Sequence, residues 1–207
     1  MRFFSVDSPF YRFMCKLWDV IQLNFLWLLF SIPVVTIGAS TAAAMSVALK
    51  MTDDEEGYIG RNFLKAFKEN WKQGTILWLI TAVAVYAIYL DFQLFEAVEN
   101  NPIILLIIGM VSIAIVILAL IYTYPLIARY DNSLIHTIQN SMDISRKYFG
   151  RTLLLVIIVA FEYVIFQFNT FMLILGIFIG PGFMIFTIAA FSKRIFQEIE
   201  KEPGSVR

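Results

Sequence analysis

The chain has 207 residues, of which 59% are hydrophobic and 15% are charged. Soluble domains carry about 25% charged residues, so this composition excludes an ordinary soluble protein. Basic and acidic residues balance to a formal net charge of zero, which gives no indication of nucleic-acid binding. One cysteine, Cys15, excludes an intrachain disulfide. The sequence therefore predicts a single polytopic membrane domain over residues 1–207.

The N-terminal segment "MRFFSVDSPFYRF" has no continuous apolar core and no small-residue cleavage site, so we expect an uncleaved first span. Ser8-Pro9 is typical of a helix start, with a capping residue followed by proline at the first helical position. Apolar residues at helical spacing after Pro9, such as Phe10, Met14 and Leu17, predict an amphipathic interfacial helix that leads into the span.

No charged residue occurs from Val20 to Leu49, although one membrane span needs only about 20 apolar residues. Pro33 ends or kinks a helix, so we expect two helices here. The sequence leaves open whether residues 33–50 cross the bilayer or form a re-entrant segment. A candidate ligand or helix-break site follows Pro33, where Gly38 would allow a tight turn and Ser40 or Thr41 would cap the second helix. Its residues are Thr36, Gly38, Ser40 and Thr41. A packing turn is the interpretation that we favour over a ligand site.

Two further pairs of spans are predicted, each after a basic amphipathic stretch (59–72 and 134–149). The predicted spans are Gly74–Phe95 with Pro102–Ala128, and Arg151–Gln167 with Thr170–Ser192. Pro125 should kink its span, and Gly176 with Gly180 has the spacing that lets two helices approach closely. The predicted fold is thus all-α, with six membrane segments in three hairpin units (8–50, 59–101 and 132–192) and a polar tail (193–207).

All basic residues fall into four groups that separate these apolar blocks, and the outer break points "DFQLFEAVENN" and "QFNT" contain none. Lys and Arg collect in cytoplasmic loops. We therefore expect both termini in the cytoplasm. The acidic run Asp53–Glu56 between the first two units is interpreted as a solvated loop.

Glu162 is the candidate intramembrane polar or proton site, because it is the only acid or base well inside a predicted span. A neutral acid hydrogen-bonded to a neighbouring helix is the alternative. Interfacial anchoring by aromatic and basic residues is predicted elsewhere. The anchors are Trp71, Tyr122, Tyr124, Arg129 and Tyr130. No residue pattern indicates a catalytic site, a metal site or a cofactor.

The segments "PVVTIGAST", "EEGY" and "FKENWKQ" resemble the YesL-like family of small bacterial membrane proteins, a family without assigned function. The resemblance is specific in residues 23–78, and "YTYPLIARY" (122–130) is similar as well. It implies a plasma-membrane protein that accompanies carbohydrate uptake systems, and it supplies no catalytic residue.

Two functions remain open on this evidence. The first is a non-enzymatic accessory protein whose partners are the lipid bilayer and either transporter subunits or a second copy of itself. The second is a small transporter or channel with a polar site around Glu162. An intramembrane enzyme is disfavoured, because no acid–base or metal pair is recognisable.

Overall fold

The computed structural model describes residues 8–55, 57–97 and 103–201. These residues form eight α-helices and contain no β-strand, in agreement with the predicted all-α class. The helices are α1 (Pro9–Ser31), α2 (Ile37–Met51), α3 (Ile59–Ala97), α4 (Ile103–Leu120), α5 (Thr123–Arg129), α6 (Leu134–Lys147), α7 (Phe149–Gln167) and α8 (Thr170–Ile199).

Six helical segments within the described ranges are long and apolar enough to cross a membrane. They begin at Pro9, Val34, Ile59, Ile103, Phe149 and Thr170. The prediction of an all-α fold with about six helices able to span a membrane is therefore confirmed. Consecutive members of each predicted pair also contact one another, namely α1 with α2, α3 with α4, and α7 with α8.

Helix α1 begins and ends where its sequence predicts. Ser8 is the N-cap, and its hydroxyl accepts a hydrogen bond from the Tyr11 amide at 3.1 Å. At the other end the helix stops at Ser31, two residues before Pro33. The Thr36 hydroxyl donates to the carbonyls of Phe30 and Pro33, which satisfies backbone groups that the break leaves open.

The predicted turn at Gly38 is wrong. A single turn of 3-10 helix (Val34–Thr36) follows Pro33, and α2 begins at Ile37, so Gly38, Ser40 and Thr41 lie inside the helix. The glycine is needed for packing instead: a Cβ atom at Gly38 would lie 2.0 Å from the carbonyl oxygen of Gly74 in α3. Small residues here allow two helix backbones to touch.

Helix α2 is the central helix of the bundle. It contacts α1, α3, α5 and α8, and its alanines 39, 42, 43, 44 and 48 are fully buried. Gly38 meets Gly74 near the start of α2, and Ser46 lines a cleft together with Phe67 and Asn70. The polar first half of α3 therefore runs antiparallel alongside α2.

Two of the three amphipathic stretches are not separate interfacial helices, contrary to the prediction. Residues 59–72 are the first half of α3, which continues without a break through Gly74 into the apolar half. The first stretch is likewise the beginning of α1. Close packing of Gly74 against Ala39 keeps the helix intact at a residue that is otherwise a weak helix former. Only the third stretch is a helix of its own, α6, which ends where Tyr148 leaves the helical conformation.

Pro125 and Pro181, both in the second half of the chain, each disrupt helical hydrogen bonding only in their immediate surroundings. The predicted span Pro102–Ala128, whose first residue lies outside the described part of the chain, is interrupted at residues 121–122. This break lies just before Pro125 and separates α4 from α5. Pro181 lies inside α8, where it has no amide to offer the carbonyl of Ile177. The predicted close approach at Gly176 and Gly180 is also present, since the ring of Phe166 in α7 packs against both.

Asn24 of α1 fills the gap that Pro181 leaves in α8. Its side-chain amide donates to the carbonyls of Ile177 and Phe178 at 3.1 and 2.7 Å, and its oxygen accepts from the Gly182 amide at 2.8 Å. The side chain is fully buried. It replaces the lost backbone hydrogen bonds with three of its own, which joins α1 to α8 across 158 sequence positions.

Candidate functional site

A polar cleft of about 880 Å³ opens between the first half of α3 and the end of α5 with the two residues that follow it, and Ser46 of α2 also contributes to its lining. It is lined by Ser46, Phe67, Lys68, Glu69, Asn70, Trp71, Lys72, Gln73, Ile127, Ala128, Arg129, Tyr130 and Asp131. We call it the α3–α5 cleft.

Two of the segments that carry the family resemblance meet in this cleft. Every residue of "FKENWKQ" (67–73) lines it, and so do the last four residues of "YTYPLIARY" (127–130). The two segments begin 55 positions apart in the chain. Sequence reasoning placed Trp71, Arg129 and Tyr130 at a lipid interface and did not foresee that they line one site. Each segment is recognisable in the sequence on its own. The sequence does not show that the two segments meet, because their contact depends on how α5 packs.

Lys68 and Lys72 supply the available positive charge of the cleft. Both are exposed and lie one turn apart on α3, and within the described part of the chain neither has an ion-pair partner. Glu69, also in the cleft, lies 3.9 Å from Lys65. The Gln73 side chain donates to the Asn132 carbonyl at 3.1 Å and so ties the two walls together.

Arg129 and Tyr130 are held by the end of α8. Arg129 donates from Nε and Nη2 to the two carboxylate oxygens of Glu200, both at 3.1 Å, and the Tyr130 hydroxyl donates to the same carboxylate at 2.6 Å. Burial, together with the Glu200 carboxylate, raises the pKa of Tyr130 to about 12. This wall of the cleft is therefore a fixed, neutral hydrogen-bonded group, and Arg129 is already committed to a carboxylate.

The other two predicted tyrosine anchors differ in their surroundings. Tyr122 is fully buried, and its hydroxyl is 3.0 Å from the Thr152 hydroxyl, so anchoring at a lipid surface is wrong for this residue. Tyr124 is half-buried and packs against the core cluster of α2. Trp71 remains 43% exposed at the cleft, with an edge-on contact to Phe67.

Two residues of the acidic run, Asp53 and Asp54, are paired with lysines, contrary to a fully solvated loop, and Glu56 lies outside the described residues. The Lys16 ammonium contacts the Met51 carbonyl at 2.5 Å and the Asp54 carboxylate at 2.7 Å. Lys193 contacts the Thr52 carbonyl at 2.7 Å and also pairs with Asp53. Two cations thus cover the C-terminal end of α2, where the helix dipole is negative. The hydrogen bond from Lys16 and its charge lower the pKa of Asp54.

The same contacts bring the basic groups together at one end of the bundle. Lys16 and Lys193 meet at the end of α2, while the last turns of α8 bind Arg129 through Glu200 and Arg151 through Glu198 at 2.8 Å. Basic groups from the first, third and fourth predicted clusters are therefore neighbours in space.

The candidate site of Thr36, Gly38, Ser40 and Thr41 is a packing seam. The Trp27 indole donates to the Thr41 hydroxyl at 3.0 Å, and Thr41 in turn donates to the Ile37 carbonyl. Ser40 is fully buried, and its hydroxyl has no partner among the residues that the structure describes. The packing interpretation, rather than an open ligand site, fits this geometry.

Glu162 lies in the middle of α7 and is 8% exposed. The Thr187 hydroxyl of α8 donates to its Oε1 atom at 2.7 Å. Its Oε2 atom is buried and has no partner within the described ranges. Neither Glu162 nor Thr187 lines the α3–α5 cleft, so the two sites are separate.

Comparison with known proteins gives one family. The family described as "Protein of unknown function, DUF624" matches residues 20–92, which run from the middle of α1 through most of α3. The matched segment contains the whole "FKENWKQ" wall of the cleft and is about a third of the chain. Neither the curated proteins nor the solved structures contain a detectable match to this chain.

Proposed function

We propose that the protein is a non-enzymatic, YesL-like component of the bacterial plasma membrane that binds a subunit of a carbohydrate uptake system through the α3–α5 cleft. The observation that carries the proposal is the meeting of two segments of the family resemblance in one open cleft, beside two lysines that have no ion-pair partner among the residues the structure describes. In the α3–α5 cleft, Lys68 and Lys72 can pair with carboxylates of a partner segment, and the exposed Trp71 can contact an apolar side chain of the same segment. The link to carbohydrate comes from the family resemblance alone.

The topology that we propose has three hairpins with both termini in the cytoplasm. The neighbouring basic groups of the first, third and fourth clusters support it, because Lys and Arg favour the cytoplasmic side. The cleft then opens towards the cytoplasm, where a soluble or membrane-bound partner reaches it.

We further propose that α1 and α2 form a re-entrant hairpin. The first half of α3 runs beside α2 with Lys65, Lys68 and Lys72 exposed. A lysine at the bilayer centre costs at least about 2.5 kcal/mol, so this half of α3, and α2 with it, belongs on the cytoplasmic side. The exposed apolar tip of the hairpin would then enter the bilayer. Its residues are Ile32, Val34 and Val35.

Affinity purification in mild detergent from a native host tests the docking proposal. The variant Lys68→Glu/Lys72→Glu should recover transporter subunits at least ten-fold less than the unmodified protein. The matched control is Lys50→Glu/Arg194→Glu, which makes the same charge change at two exposed residues outside the cleft. The control should keep its partner. Recovery of the protein alone in every sample would refute a stable complex, and equal recovery by both variants would refute the cleft as its site.

A second function, a transporter or channel, is favoured by one observation, the buried carboxyl of Glu162, one oxygen of which has no partner among the described residues. It ranks second because the α3–α5 cleft does not reach Glu162. Uptake of labelled sugars and cations into proteoliposomes would test it. Transport by the unmodified protein that is lost in Glu162→Gln would move this function to first place.

A further inference from the structure

Glu162 is placed among apolar neighbours with half of its carboxyl group unsatisfied. Thr187 donates one hydrogen bond to Oε1, whereas Oε2 is buried without a partner in the described part of the chain. The flanking sequence "LLLVIIVAFEYVIF" is apolar apart from Tyr163, which is exposed. The carboxyl group therefore has one donor and no visible source of charge compensation.

The cations of the neighbouring helices lie elsewhere. On α7, Arg151 is eleven residues away, roughly 16 Å along the helix, and pairs with Glu198. On α8, Lys193 is six residues beyond Thr187 and pairs with Asp53. The other charged or titratable groups of these two helices and of α6 are Arg194, Glu198, His136, Asp143, Arg146 and Lys147. Those of α8 lie beyond Lys193, and α6 meets α7 near its first residues, where Thr152 approaches the Ser145 carbonyl.

An ionised carboxylate only accepts hydrogen bonds and requires several of them. At Glu162 it would leave a charged oxygen buried without a donor, which is strongly unfavourable in a medium of low dielectric constant. A protonated carboxyl group fits better, because its neutral carbonyl oxygen accepts from Thr187 and the remaining hydroxyl carries no charge.

We propose that Glu162 is a proton-binding site: it is a neutral carboxylic acid in the folded protein and joins α7 to α8 through Thr187. Loss of its proton would leave the buried Oε2 atom charged and without a donor among the described residues, so the proton stabilises the buried position of this side chain. The protonation state of Glu162 does not depend on whether the protein assists a transporter or transports a solute.

Infrared spectroscopy of the purified protein at pH 7 tests the protonation state directly. A protonated carboxyl group has a carbonyl stretch that ionised Asp and Glu lack, and Glu162→Gln should remove it. Thr187→Val should keep the band but shift it to higher frequency, because the carbonyl loses its hydrogen bond. If Thr187 only packed against α7 and donated no hydrogen bond to Glu162, its substitution would leave the frequency of this band unchanged. Identical spectra for the unmodified protein and Glu162→Gln would overturn the proposal.

A hydrophobic carbodiimide provides an independent chemical test. The carboxylic acid adds across one C=N bond of the reagent, with its oxygen bonding to carbon and its proton passing to nitrogen, so the protonated form is required. Mass spectrometry should find the adduct on Glu162 and not on Glu198, an exposed carboxylate paired with Arg151. Equal labelling of the two residues, or labelling that Glu162→Gln does not reduce, would contradict a protonated site at Glu162.

Discussion

Two segments that are both long and apolar enough to cross a membrane, Val34–Met51 and Ile103–Arg129, have opposite environments, and the second is the more apolar. In the most apolar window of each, 67% of the first is buried inside the protein and 6% of the second. The first is rich in Ala, Gly and Ser, whereas the second begins with Ile, Leu, Val and Met on all sides. Small residues let α2 contact four helices, while large aliphatic residues cover α4 with a surface suited to lipid.

Both segments are apolar enough to count as candidate spans. What distinguishes the protein-facing segment from the lipid-facing one is its smaller side chains, together with its lower hydropathy. A helix that packs against protein on most of its faces gains from short side chains, because backbones then approach closely. A helix that faces lipid has no such need. The same substitution should therefore have different effects in the two segments.

The largest effect is expected for Gly38→Ala. The added Cβ would lie 2.0 Å from the Gly74 carbonyl oxygen, a backbone atom that cannot rotate away. We expect a destabilisation of about 3 kcal/mol or more and a loss of folded protein after extraction. Gly109→Ala in α4 is the matched control, since its Cβ would lie 3.6 Å from the Phe92 ring. The control should be neutral or slightly stabilising by helix propensity. Comparable losses of folded protein in both variants, measured by fluorescence-detected size exclusion, would contradict the comparison.

A somewhat smaller effect is expected for Asn24→Ala, which leaves the buried Gly182 amide without its acceptor and removes the hydrogen bond to the Ile177 carbonyl. Each unsatisfied group costs about 1–3 kcal/mol. In a Pro181→Ala background the α8 backbone can make its own hydrogen bonds, so the same change should cost clearly less. Thermal unfolding of the four proteins in detergent measures this coupling. Additive effects would mean that Asn24 does not compensate for the proline.

These features also show what the sequence alone could predict. Pro33, Pro125 and the Ser8-Pro9 start act through local backbone chemistry, so their consequences were predictable from neighbouring residues. Asn24 and Gly38 act through partners in distant helices, and nothing in their local sequence specifies those partners. Gly38 was misassigned to a turn for this reason.

The candidate site shows the same limit. Trp71, Arg129 and Tyr130 were identified individually as interface residues, but their meeting in one cleft depends on the break between α4 and α5. Lys68 and Lys72 were predicted as part of a basic helix face. The helical spacing of apolar and basic residues does not specify which lysines of that face form ion pairs, because ion pairing depends on side-chain geometry.

Ser40→Ala should have a small effect of the opposite sign. The Ser40 hydroxyl is buried in the α2 seam without a partner in the residues described, so its removal should raise the free energy of unfolding by up to about 1 kcal/mol. Thr41→Val is the companion variant, because it removes the hydrogen bond from Trp27 and should lower that free energy by about 1 kcal/mol. Destabilisation by Ser40→Ala would indicate a partner for the hydroxyl.

The smallest effect is expected for Asp54→Asn and should appear only in the pH dependence. Lys16 lowers the pKa of Asp54 below its ordinary value of about 3.9, so the carboxylate stabilises the fold above that value. This contribution is lost as the pH falls through the lowered pKa. The unmodified protein should therefore be slightly more stable than the variant at pH 7, and the difference should vanish in strong acid. Asp54 has a positive φ of 59°, which Asn also tolerates, so the backbone is not a confounding change. A stability difference that is independent of pH would contradict the ion-pair origin.

The lysine contacts at the end of α2 have a consequence for biosynthesis. Lys193 and Gly182 both belong to the last helix, yet they complete contacts with Thr52 and Asn24 near the start of the chain. While the ribosome is still making the middle of the protein, the end of α2 lacks one of its two cations and Asn24 lacks its backbone partners. The contacts of the α1–α2 pair with α8 are therefore completed only after α8 has been translated.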